Sequence, residues 1–102
     1  MRPIVLSIAL AATWVVAAPV LAQSPDSARD IAATCANCHG TNGMSRGTVP
    51  SLAGQSKADI AAKMLEFKQN QRPGTIMPQL AKGFTDAQID AVAAWFASQP
   101  SK

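Results

Sequence analysis

Residues 35–40 read Cys-Ala-Asn-Cys-His-Gly, and this stretch, CANCHG, holds both cysteines and the only histidine of the 102-residue chain. Three chemistries compete for it. A metal knuckle, a dithiol redox switch and a haem anchor each use two cysteines at this spacing, but only the third also requires the histidine that follows at once. Two thiols separated by two residues at the end of a helix reach the two vinyl groups of one haem and form thioethers, and the next imidazole then points at the iron. A structural zinc site needs a fourth ligand beyond Cys35, Cys38 and His39, and the chain has no second cysteine or histidine pair to supply it. A thioredoxin-like dithiol wants a strand before the motif and a βαβ context, which the helical pattern described below denies. Covalent haem is therefore the reading adopted, with a redox dithiol and an inert disulfide left open beside it.

The sixth iron ligand has to come from elsewhere. Since no other histidine exists, a methionine thioether is the natural candidate. Met64 falls on the apolar stripe of a helix, where ordinary packing explains it. Met44 lies only five residues after His39, too near to cross to the opposite haem face easily. Met77 sits 38 residues downstream of His39 between Ile76 and Pro78, and is the expected ligand; an open or water-bound iron is the alternative. His/Met ligation raises the reduction potential and leaves no vacant position for a small-molecule substrate, so such a site moves single electrons. The second nitrogen of His39 needs an acceptor, and a backbone carbonyl near Pro50 in the following loop is expected to supply it.

Around these residues the pattern is helix, loop, helix, loop, helix. Pro25 suits a helix start, and Ser27 with Asp30 has capping-box spacing, so a short helix should run into Cys35. The stretch TNGMSRGTVPSLAGQ, rich in glycine and without a sustained period, reads as a long loop. Ser56 and Asp59 open an amphipathic helix carrying Ile60, Met64 and Phe67 on one face, ended by Pro73 and Gly74. GTIMPQLAKG is expected to be a second loop. Thr85 and Gln88 form the capping box of a last helix with Ile89, Val92 and Phe96 on one stripe and Pro100 beyond its end. No stretch alternates as a strand does.

The first 22 residues, MRPIVLSIALAATWVVAAPVLA, have an early Arg2, an apolar run and a small-residue ending. That is the layout of a signal peptide cleaved after Ala22, with an uncleaved membrane anchor as the alternative. The expected division is a signal peptide over residues 1–22 and one domain over residues 23–102. Without Arg2 the net charge of +3 falls to +2, and the remaining lysines and arginines are dispersed among acids, which gives nucleic-acid binding no support. Lys57, Lys63, Lys68 and Lys82 either steer an acidic redox partner or only solvate the surface. A domain of about 80 residues buries a small core and often leans on a metal or cofactor.

With CANCH, TVPSLAGQ, TIMPQLAKGF and AAWFASQ in view, the chain resembles the class I c-type cytochromes of bacterial periplasms over about residues 30–98. Within that class CHGTNG and TIMPQLAKGFTDAQI look like the cytochrome subunits of flavocytochrome c sulfide dehydrogenases, and are similar as well to single-domain carriers that feed terminal oxidases. The resemblance implies an all-α, small cytochrome c fold of three main helices wrapped around one covalently attached haem c. It implies thioethers at Cys35 and Cys38, axial ligands at His39 and Met77, and a Pro50 carbonyl accepting from His39. The first and last helices are expected to cross, with Ile31 near Val92 and Trp95, and Arg72 to face either a haem propionate or solvent. Implied as well is periplasmic electron transfer without catalysis of its own, between redox proteins such as a flavoprotein subunit or an oxidase. The single CxxCH departs from sulfide dehydrogenase subunits that carry two.

Overall fold

The computed structural model describes residues 25–101. The expected signal peptide over residues 1–22 lies outside the described residues. Among the described residues four α-helices follow one another, α1 (Pro25–His39), α2 (Lys57–Lys68), α3 (Met77–Ala81) and α4 (Asp86–Ala97), with a 3-10 turn at Thr41–Gly43. There is no strand among the described residues.

Each helix end has a local cause. The first helix is already formed at Pro25, so Ser27 and Asp30 lie inside it, and the capping box expected there is corrected to a proline start, where a missing N–H costs nothing. At α2 the Ser56 hydroxyl accepts from the Asp59 amide at 3.1 Å. This helix stops before Pro73: Asn70 takes a left-handed φ of 56°, the Gln71 amide reaches back to the Glu66 carbonyl at 2.8 Å and the Asn70 amide to that of Phe67 at 3.1 Å. That pair of bonds is a Schellman closure, open to Asn because its short side chain tolerates the left-handed region. At α4 both halves of the capping box form: Thr85 Oγ1 accepts from the Gln88 amide at 3.1 Å, and Gln88 Oε1 from the Thr85 amide at 2.9 Å.

Helix α3 corrects the loop expected over GTIMPQLAKG. Its five residues are too few to show a period, and helices this short do not hold themselves. Pro78 stands in its first turn, where proline is tolerated, and burial of Pro78 and Ala81 supplies the stabilisation.

The core is small. Ala32 of α1, Ile60 of α2 and Val92, Ala93 and Phe96 of α4 form one buried cluster, with Ile31, Cys35, Leu52 and Trp95 packed against it. The Ile89, Val92 and Phe96 stripe is fully inside, and the alanines at positions 28, 32 and 93 leave room for α1 and α4 to approach. Trp95 and Phe96 meet edge to face at 5.0 Å. Lys57 to Asp90 at 3.0 Å and Lys68 to Asp86 at 2.7 Å tie α2 to α4. Two of the four lysines considered for steering a partner are thus paired within the fold.

Candidate haem site

Helix α1 delivers Cys35, Cys38 and His39 in its last turn and a half, so the three reactive side chains of the chain project from one helix end. Gly40 then leaves the helix at φ 84°, where a Cβ would stand 2.0 Å from the Met44 carbonyl oxygen, so only glycine lets the chain turn back at this point. Neither cysteine is in a disulfide; Cys35 is half-buried and Cys38 exposed. Burial pushes the Cys35 thiol up; a contact with Thr34 opposes this and the neighbouring Cys38 adds to it.

His39 Nδ1 lies 2.6 Å from the Pro50 carbonyl oxygen. A carbonyl only accepts, so Nδ1 carries the proton and Nε2 keeps its lone pair for a metal. The loop that brings Pro50 there is fixed by backbone bonds: Leu52 and Ala53 both donate to the Gly43 carbonyl, at 2.8 and 3.1 Å, and Gly54 donates to that of Phe96 at 3.1 Å. Gly43 itself has φ 77°, and a Cβ on it would meet Phe96 at 2.8 Å and the Ala53 nitrogen at 2.9 Å. This glycine, flagged in the sequence only as a loop residue, is where the Pro50 loop is pressed onto α4. The sequence signal that would have found it is the coincidence of a glycine three residues beyond Gly40 with a downstream aromatic helix.

Met77 is carried by a different unit. It opens α3, is half-buried, and α3 packs on α2. Gly74 lies against Phe67 and Pro78, so that a Cβ there would stand 3.1 and 3.2 Å from them. Arg72, expected to face a propionate or solvent, bonds Glu66 at 2.8 Å, covers the Phe67 ring at 5.6 Å and keeps 38% of its side chain exposed. The structure therefore joins Cys35, Cys38, His39 and Pro50 in one cluster and carries Met77 on α3, which packs on α2. Met44, set aside as a ligand, lines an open groove of about 430 Å³ beside Cys38, Arg46 and Val49 that excludes both His39 and Met77.

The residues fit a haem. The donor set is two cysteines outside any disulfide and one imidazole whose Nδ1 is already held. The core is small around it: among the described residues the large buried aliphatic and aromatic side chains are Ile60, Ile89, Val92 and Phe96, while Ile76 and Leu80, next to Met77, are 60% and 49% exposed. No cluster of three or more His, Cys, Asp or Glu suited to a bare metal ion occurs among the described residues.

A family model described as cytochrome c oxidase, cbb3-type, subunit III matches residues 22–96. The chain belongs to this cytochrome c family. It is 38% identical over 69 residues, 68% of its length, to the cytochrome subunit of sulfide dehydrogenase of Chlorobaculum tepidum. It is 34% identical over 70 residues to cytochrome c-554(548) of Halomonas halodenitrificans, of which it covers 84%. The solved structure of Acidithiobacillus ferrooxidans cytochrome c4 matches 63% of the chain with a TM-score of 0.61 and 41% identity. The chain spans 63% of the sulfide dehydrogenase subunit and 37% of that cytochrome c4. As a class I c-type cytochrome, this protein has the small all-α cytochrome c fold and carries covalently attached haem c. No helix among the described residues is long and apolar enough to cross a membrane.

Proposed function

We propose that Cys35 and Cys38 hold the haem through thioethers, that His39 and Met77 are its axial ligands, and that the protein moves single electrons between redox proteins of the periplasm. The observation that carries this reading is the 2.6 Å contact of His39 Nδ1 with the Pro50 carbonyl, which leaves Nε2 as the open donor beside two cysteines outside any disulfide. Haem supplies a one-electron change at iron. The chain does the rest: the Pro50 carbonyl holds the imidazole plane and raises its basicity, and α3, packed on α2, would supply the Met77 thioether as the second ligand. With both axial positions taken by protein, no small-molecule substrate reaches the iron. Residues 1–22 act as a signal peptide, and the working chain begins at Gln23.

The partner proposed is the flavoprotein of a sulfide-oxidising flavocytochrome, on the likeness to the Chlorobaculum tepidum subunit. A free carrier that donates to a terminal oxidase is the second reading, favoured by the 84% coverage of cytochrome c-554(548). The test begins with the intact mass of protein purified from the periplasm of a host able to attach haem. A mass of residues 23–102 plus one haem supports export, cleavage and both thioethers together; a mass without haem returns the cluster to the dithiol reading. Copurification of a flavoprotein, and haem reduction by sulfide only in its presence, supports the subunit reading. A haem reduced by many unrelated donors and copurifying with none points to the free carrier.

A further inference from the structure

The backbone bonds of the 50–55 loop fix its later half, through Leu52, Ala53 and Gly54. The Pro50–Ser51 end is held by side chains. Ser51 Oγ accepts from the Ser45 amide at 3.0 Å, the Gln55 amide group donates to the Ser51 carbonyl, and Gln55 Oε1 in turn accepts from Lys63 Nζ at 3.2 Å. Lys63 is on α2, so this chain of contacts crosses from α2 to the residue next to Pro50. An ammonium has only donors, so Lys63 dictates that the oxygen of the Gln55 amide faces it and the nitrogen faces Ser51.

We propose that Gln55, oriented by Lys63, is a positioning residue that keeps the Pro50 carbonyl on His39. The argument is one of degrees of freedom. The proline ring fixes φ at Pro50, and the Pro50–Ser51 peptide is planar, so the direction of the Pro50 carbonyl depends on one torsion at each side of that plane. Pinning Ser51 at both its hydroxyl and its carbonyl removes the play on its side. Pro50 is exposed, and without the clamp water competes for its carbonyl and for the His39 proton. A firm bond at Nδ1 makes the imidazole a stronger donor and favours oxidised iron, so Gln55 lowers the reduction potential through Ser51 and Pro50 without touching His39 itself.

The inference rests on the reading of His39 as an iron ligand, and the test separates the two. In the haem-loaded full chain, Gln55→Glu keeps the length of the side chain and an acceptor for Lys63 but has no N–H for the Ser51 carbonyl. It is expected to raise the reduction potential and to speed exchange of the His39 Nδ1 proton severalfold by NMR. Gln55→Ala should do the same, and Lys63→Gln should act in the same direction but less, because the Gln55 amide is then free to flip. A Gln55→Glu protein with wild-type potential and proton exchange overturns the clamp, as does a shift confined to Gln55→Ala, which would be packing alone. His39→Ala must abolish the axial signature of the iron; if it does not, the reading beneath the clamp fails, and if it does while Gln55→Glu changes nothing, only the clamp falls.

Discussion

The two sides of the proposed haem site are built by different forces. The Cys35–Pro50 side is one run of sequence whose return is fixed by directional bonds to the carbonyls of Gly43 and Phe96, and by the 2.6 Å contact at His39. The Met77 side arrives 38 residues after His39 on a five-residue helix that depends on packing of Pro78, Gly74 and Phe67. Hydrogen bonds of this kind fail only when geometry is lost, whereas packing of a short, half-exposed segment is released by small openings. The difference implies that the histidine side behaves as part of the global fold and the methionine side as a unit that opens first.

The largest effect should come from removing the attachment altogether. With Cys35 and Cys38 both replaced by serine, the chain keeps a core whose large buried aliphatic and aromatic side chains, among the described residues, are Ile60, Ile89, Val92 and Phe96. Burying such side chains gives about 1.5–3 kcal/mol each, too little against the entropy of ordering some 80 residues. The expected outcome is a largely unfolded protein, read by circular dichroism; a cooperative helical melt would contradict it.

Met77→Ala should come next, and it addresses one side alone. The reduction potential is expected to fall by a sizeable part of the ~0.8 V that axial ligation spans, and added imidazole should bind the freed position. Attachment at the cysteines and the melting transition should be nearly unaffected. An unchanged oxidised spectrum would remove Met77 from the ligand set, and a collapse of the fold would show that the methionine side is no separate unit.

How much of this was legible in the sequence follows the same division. CANCHG was legible because scarce residue types stand at a spacing that one chemistry demands, and α2 and α4 because Ser56 and Thr85 mark their starts ahead of apolar stripes. Helix α3 was hidden, since five residues carry no period and its stability is tertiary. The end of α2 was misplaced toward Pro73 because a left-handed Asn70 is a weaker signal than a proline. The Gln55 clamp and the Arg72–Glu66 pair were illegible, because both depend on which loop the fold lays beside which helix.

Gly43→Ala tests the frame on the histidine side. The substitution forces a side chain into left-handed backbone and against Phe96 and the Ala53 nitrogen. Strain and overpacking of this order cost about 1–3 kcal/mol each where the surroundings cannot yield. A denaturant titration of the haem-loaded protein should show that loss while the rate of ligand entry at Met77 stays within twofold of wild type. Equal sensitivity of both readouts would join the two sides.

The smallest effect is expected at Arg72. Its bond to Glu66 joins groups that are 38% and 43% exposed, and exposed ion pairs contribute about 0–1 kcal/mol. Its cover over Phe67 adds a cation–π contact of about 0.5–1 kcal/mol at such a site. Arg72→Ala should therefore leave the melting transition almost where it was. Yet Gly74 lies against both Phe67 and Pro78, so whatever Arg72 contributes through Phe67 is concentrated next to the segment that carries Met77. Loss of about 1 kcal/mol from a local opening raises the open population by up to about fivefold, which imidazole uptake at the iron would report as a faster rate, more so at low salt. Exchange of the His39 Nδ1 proton, measured on the same sample, should not change. If it accelerates in step with imidazole uptake, the two sides open together and packing on α2 holds the histidine side as well.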